Sequence, residues 1–294
     1  MTRICLYGRT SRIPLMSAGA PSWAAFFALF AMIFSGTAVA KSPAESAKSE
    51  GASAKVESKA YTYGSGSDTF EGLISRPKGA PIKGGVLVVH NWMGVSDETK
   101  KQAERFAEQG FLVISADVYG KGVRPSGPEQ AGKLATEYKS NRALLRSRIA
   151  LALAELTKQP EVQGKAVIAA GYCFGGTAVI ELARSGADVA GVLSFHGGLD
   201  SPAPADGAKI RGRVVAFHGA VDPYVPAADL AGFEKEMTDN KVDWELVKLG
   251  GAVHSFTDVG AGNDASKGAA YNANADKRSW EMTKLVLADL TTRR

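Results

Sequence analysis

Gly171, Tyr172, Cys173, Phe174, Gly175 and Gly176 set a thiol between an apolar run, Ala166 to Ala170, and a helical stretch that begins at Phe174. A nucleophile held on a sharp strand-to-helix turn needs small neighbours, because the turn is strained and bulky side chains would clash there. The GxSxG pattern meets this need around serine; here Cys173 occupies the serine's place. A helix start also offers unpaired N–H groups and the positive end of the macrodipole, both of which favour a thiolate over a thiol whose ordinary pKa is about 8.5. Two readings of Cys173 stand at this point, an activated nucleophile and a buried, inert cysteine at a tight turn.

A nucleophile of this kind needs a base, and the chain order nucleophile, acid, histidine of strand-to-helix elbows selects it. Of the four histidines, His254 alone follows every candidate acid. It lies in the loop Gly250 to Phe256, directly after the strand-like run Trp244 to Leu249. The acid chosen is Asp222, in His218, Gly219, Ala220, Val221, Asp222, Pro223, where a strand ends and a turn carries a carboxylate outward. It would hold the imidazole in the useful tautomer and stabilise an imidazolium paired with a thiolate. The competing role for Asp222 is to cap the helix that follows Pro226. Tetrahedral intermediates need N–H donors, and Phe174 offers one from the elbow and Trp92 another from the loop after the first buried strand. Asn91 and Trp92 are equally placed to line a substrate pocket, and Trp92 can also be read as a partly exposed core aromatic.

The elements that must position these groups are legible as a doubly wound α/β pattern with helices on both faces of a mostly parallel sheet. Tyr61 to Tyr63 and Phe70 to Ser75 suggest an opening antiparallel pair around the turn residues Gly64 to Asp68. From Gly84 onward β-branched runs alternate with amphipathic stretches, which signals parallel strands joined by helices. The strands are read at Val86 to His90, Phe111 to Ala116, Ala166 to Ala170, Val189 to Phe195, Val214 to His218 and Trp244 to Leu249. The helices are read at about Ser96 to Gln109, over a long region after Pro128, from Phe174 to Ser185, around Ala227 to Thr238, and from about Asp276 to Leu290. Ligands of such sheets bind beyond the carboxyl ends of the strands, and His90, His196, His218 and His254 all fall at or just after strand-like runs. His196 and His218 are read as hydrogen-bonded rim or pocket residues.

The remaining composition narrows the setting. With 294 residues and 45% hydrophobic content the chain can bury a large core, which excludes disorder throughout. Its formal charge of +5 includes Arg3, Arg9 and Arg12 of the leader, which leaves about +2 elsewhere. No basic run with interleaved aromatics tracks a phosphate backbone, so no nucleic-acid partner is expected. Residues 1–40 read as a secretory signal, with three arginines before the apolar run Trp23 to Phe34 and small residues at Ala38 and Ala40. Cleavage after Ala40 would place the protein in the periplasm or outside the cell and confine membrane contact to export. The alternative is an uncleaved anchor. Residues 41–57 read as a flexible linker and 58–294 as one doubly wound domain. Cys5 leaves with the leader, so Cys173 would be the sole thiol of the mature chain and no internal disulfide can form.

On the GYCFGG elbow, the His218 to Asp222 turn and the His254, Ser255, Phe256 segment, the chain resembles the dienelactone hydrolase family over roughly residues 58 to 292. Ala116 to Gly120 and the tail Tyr271 to Trp280 add to the likeness. The resemblance implies an α/β-hydrolase fold and a triad of Cys173, Asp222 and His254. It further implies no metal or organic cofactor, and hydrolysis of small-molecule esters or lactones through an acyl-thioester. Two departures accompany it. Asn91 stands where the best-known members place a glutamate that helps govern the thiol, so activation would rest on His254. The family's substrate-binding arginine near the Tyr119 loop has no counterpart except Lys121 or Arg124. The expected pocket comprises Asn91, Tyr119, Lys121, His196 and Phe256. A second function class stays open, a non-catalytic ligand-binding or redox-sensing protein on the same fold. A third, a metal hydrolase built on His90, His196 and His218, has no ligand spacing such as HExxH behind it.

Overall fold

The computed structural model describes residues 55–66 and 68–292. The expected leader and most of the expected linker lie outside the described residues. The chain opens with a long antiparallel hairpin, β1 (Val56–Ser65) and β2 (Asp68–Pro77), paired from Val56 with Pro77 to Ser65 with Asp68. Val56 and Glu57, expected in the linker, therefore belong to a strand. Cross-strand pairing with Pro77 and Arg76 orders a segment that has no apolar period of its own.

Strands β3 (Gly84–Val89), β4 (Phe111–Ala116), β5 (Val167–Tyr172), β6 (Gly191–Phe195), β7 (Arg213–Gly219) and β8 (Trp244–Leu249) complete the sheet. Its order is β1-β2-β4-β3-β5-β6-β7-β8, with β2 antiparallel to β4 and every pair from β4 to β8 parallel. The central strands read as unbroken apolar runs because both faces are covered. Leu87, Val89, Leu112 and Ile114 enter one core, and Val86, Val88, Phe111 and Val113 enter the other.

On the first face lie α2 (Pro128–Ser140), α3 (Arg142–Thr157), α4 (Phe174–Arg184) and α5 (Ala227–Asp239), with Tyr138, Ile149, Val179 and Phe233 in that core. On the second lie α1 (Asp97–Glu108) and α6 (Ala273–Thr292), which contribute Phe106 and Leu287. The region after Pro128 is two helices rather than one. Asn141 breaks it at φ −114°, ψ 76°, and its Oδ1 accepts the Leu144 N–H to start α3. The chain doubles back at β3, which has β4 on one side and β5 on the other, so the loops after β3 and β5 flank a switch point.

Candidate active site

Cys173 caps α4 with φ +55° and ψ −114°, a backbone conformation that costs about 1–3 kcal/mol for a side-chain-bearing residue. The packing around the elbow enforces it. A Cβ on Gly171 would lie 2.0 Å from the Gly175 carbonyl oxygen, and one on Gly175 would lie 2.2 Å from that of Val89. Glycine at both positions lets the helix start press against the ends of β5 and β3, so that the thiol is lifted out of the sheet.

The loop after β8 brings His254 to this thiol. Its backbone N–H donates to Gly268 O and its carbonyl accepts from the Ala270 N–H, which pins the segment from both sides. His254 Nε2 lies 3.0 Å from Cys173 Sγ, and Nδ1 lies 2.8 Å from Asp222 Oδ2. A carboxylate only accepts, so Nδ1 carries a proton and donates it to Asp222. Asp222 Oδ1 in turn accepts the Tyr224 N–H at 2.8 Å, and its side chain is fully buried. Neither oxygen caps α5, whose N-cap is Pro226 and has no side-chain hydrogen bond.

Burial alone would push the Cys173 thiol up. The hydrogen bond and charge of His254, with the backbone N–H groups of Phe174 and Trp92, outweigh it and hold the thiol below its ordinary value. His254 moves the opposite way. Burial opposes its charged form, but the hydrogen bonds to Asp222 and Cys173 prevail and lift it to about 10. Both shifts favour the thiolate and imidazolium pair over the neutral thiol and imidazole. Trp92 and Phe174 are thus the backbone donors that face the sulfur.

Beside this pair lies a cavity of about 270 Å³ whose walls include Cys173, His254, Trp92, Phe174, Tyr224 and Val225. Its far wall is a face of α2 formed by Gly132, Ala135, Thr136 and Lys139. None of these α2 residues was singled out from the sequence; the spacing i, i+3, i+4, i+7 marks one helix face but not what that face covers. Of the expected pocket residues, Asn91, Tyr119, Lys121, His196 and Phe256 do not line this cavity. Asn91 Oδ1 accepts the Met93 N–H and so shapes the loop after β3. Tyr119 is buried and its hydroxyl donates to Trp92 O, which braces that loop from below. Lys121 pairs with Glu71 at 3.2 Å, and Arg124 donates to Glu71 O at 2.8 Å, so both turn toward the opening hairpin. His196 and Phe256 are buried behind His254.

The other histidines are structural neighbours rather than walls. His90 Nε2 accepts the Val118 N–H, so Nδ1 carries the proton and donates to Asn91 O. Burial keeps that ring neutral, down to about 4. His218 is buried and shifted down by its burial. His90 and His196 engage both ring nitrogens with protein partners, and no group of three potential metal ligands occurs among the described residues.

Comparison with known proteins agrees on a family. The sequence model of the dienelactone hydrolase family matches residues 70–290. A putative carboxymethylenebutenolidase of Synechocystis is 28% identical over 214 residues, which cover 68% of this chain and 83% of that protein. Among solved structures, m3DLH is 33% identical with a TM-score of 0.77, over 81% of this chain and 99% of its own. A dienelactone hydrolase-like promiscuous phosphotriesterase from metagenomic libraries is 35% identical with a TM-score of 0.74, over 80% of this chain and 98% of its own.

Proposed function

The chain belongs to the dienelactone hydrolase family, and from that premise we propose that it cleaves carboxylic esters or lactones through the Cys173 thiolate and an acyl-thioester intermediate. The observation that carries this reading is the contact of His254 Nε2 with Sγ at 3.0 Å while Nδ1 is held by Asp222. Sγ attacks the substrate carbonyl carbon, a C–S bond forms, and the carbonyl electron pair moves onto oxygen. That oxyanion takes the N–H groups of Trp92 and Phe174, and loss of one such donor costs about 10² to 10³ in rate. Collapse breaks the bond to the leaving alkoxide, which takes the proton from His254 Nε2. In the second half His254 accepts a proton from water as its oxygen adds to the thioester carbon. Collapse then expels the thiolate, frees the acid and restores the starting ion pair.

An ester and lactone panel on wild type and Cys173→Ala tests this, with intact-mass detection of the adduct. The wild type gains the acyl mass and turns over, and the variant does neither. Turnover that survives the substitution removes the mechanism. An aryl phosphotriester belongs in the panel because of the metagenomic relative's stated activity.

A lowered thiol that lines an open cavity also favours oxidation to a sulfenic acid, so a redox-sensing protein is the second reading. It predicts no burst of product at enzyme concentration. The leader supports export to the periplasm or beyond, and a mature N-terminus at Lys41 in an exported fraction is the expected result. Retention of the apolar run in that fraction would show an anchor instead.

A further inference from the structure

We propose that His196 and Thr257 are positioning residues that form a rigid strut between the thiol-bearing elbow and the loop of His254, and so set the distance between base and sulfur. The inference rests on the thiol reading above for its meaning in turnover, but not for its geometry.

His196 stands at the end of β6, beside the elbow, with a φ of +42°. A side-chain-bearing residue in the left-handed region persists only where its surroundings hold it. The surroundings here are specific. Its backbone N–H donates to Phe217 O at 2.8 Å, and the residue is only 2% exposed. The Cys173 backbone N–H lies 3.1 Å from Nδ1 and also donates to Phe195 O. An N–H only donates, so Nδ1 is the bare nitrogen and Nε2 carries the proton. Nε2 then donates to Thr257 Oγ1 at 2.8 Å.

The imidazole therefore bridges the nucleophile's own backbone and a residue three positions beyond the base. The intervening loop folds round the same ring. His254 meets it edge-on at 5.3 Å between centroids, and Phe256 meets it edge-on at 4.9 Å. Ser255, between them, has a φ of +58°, so the loop is turned sharply onto this hub. Three of the four residues from His254 to Thr257 touch His196, and Ser255 makes the turn that allows it. Burial and the neighbouring His254 charge keep His196 neutral, which preserves the one tautomer that can accept from the elbow and donate to the loop.

The test compares Thr257→Val, which removes the hydroxyl at nearly constant volume, with Thr257→Ser, which keeps it. Two readouts are taken on folded protein, the kcat and KM for an activated aryl ester, and the pH dependence of Cys173 alkylation by iodoacetamide. Thr257→Val should lower kcat by about tenfold, the worth of roughly one hydrogen bond, with KM held within about twofold. It should also raise the alkylation midpoint by about one pH unit, as the imidazolium drifts from the sulfur. Thr257→Ser should restore both. His196→Asn, which keeps an acceptor for the Cys173 N–H but loses the reach to Thr257, should match Thr257→Val and add nothing to it in the double variant. Should valine not be accommodated, Thr257→Ala carries the same comparison.

An unshifted alkylation profile in folded Thr257→Val, or equal losses in the valine and serine variants, overturns the strut. The two readings separate cleanly. If Cys173→Ala retains turnover while Thr257→Val still shifts alkylation, the nucleophile is wrong and the strut stands. If Cys173→Ala is inactive while alkylation is unmoved, the reverse holds.

Discussion

The two ends of α4 hold charge in opposite ways. At its start, Cys173 presents a sulfur to the Phe174 N–H and the positive end of the helix, one side of it open to a cavity. At its end, Arg184 is fully buried with a cation matched to the negative end. Its Nε and Nη2 donate to Glu236 at 2.9 and 2.5 Å, and its Nη1 donates to Glu181 at 2.8 Å and to Asp200 O at 3.0 Å. Arg146 reaches Glu181 from α3 at 2.8 Å and closes the cluster. One helix thus has a cation enclosed by partners at its end and, at its start, a sulfur left with a free approach. The difference lies in what is withheld from the sulfur rather than in the strength of the helix field.

Substitutions at each end should separate along that line. Asp222→Asn, which keeps volume but no longer fixes the Nδ1–H tautomer, should lower kcat by about 10³ to 10⁴ with little loss of stability, measured by steady-state kinetics beside urea unfolding. Arg184→Met should do the reverse. Removing the cation strips buried Glu236 of its guanidinium while Glu181 keeps Arg146, so stability should fall by about 3–5 kcal/mol while the folded fraction keeps its kcat. A large kcat loss in Arg184→Met would mean that the two ends are coupled through the helix.

A smaller and graded effect is expected from pH. Activity should fall on the acid side as the thiolate is protonated at its lowered value, and on the alkaline side near 10 as His254 loses its proton, which a pH profile of kcat/KM will show. The same pair fixes a sign for stability. His254, raised from 6.5 to about 10, contributes stability that is fully present below 6.5 and is lost as pH rises towards 10. Cys173, lowered from 9.0, contributes stability that is present above 9.0 and is lost as pH falls through the native thiol's value, so the two slopes oppose each other in between. Above 9.0 the native state holds the extra proton until about 10, and stability declines with rising pH. On the acid side only the Cys173 contribution is lost, as pH falls through the native thiol's lowered value. Urea midpoints across this range check it. Least of all, breaking the exposed Lys133–Glu129 pair by Lys133→Ala should leave the unfolding midpoint unchanged, in contrast with Arg184.

Local pattern made the fold class legible, because strands covered on both faces, such as β4, carry their bounds in β-branched and aromatic residues. The doubly wound, mostly parallel sheet read from that alternation is the one observed, and it fits the α/β-hydrolase fold that the family resemblance implies. Where long-range contacts rather than composition set a boundary, the reading fell short, as at Val56, which pairs with Pro77 and packs against the second core. The break at Asn141 was not read from the sequence, which suggested one long helical region after Pro128. Chain order and strand ends pointed to Cys173, Asp222 and His254, whose side chains lie in hydrogen-bond contact. The cavity wall was not legible. Lys121 and Lys139 look alike in sequence, and only the path of α2 across the sheet sends one toward the thiol and leaves the other with Glu71.

The sheet order has a consequence for the order of events in folding. Sulfur and base are 81 residues apart, and they meet only when β5, β6, β7 and β8 lie side by side in parallel register. Each of those pairings must close a long crossover before it gains anything, which makes such assembly slow. The acidity of the thiol is therefore among the last properties the chain acquires. During refolding, the rate at which an electrophile finds Cys173 would serve as a clock for the docking of the final strand.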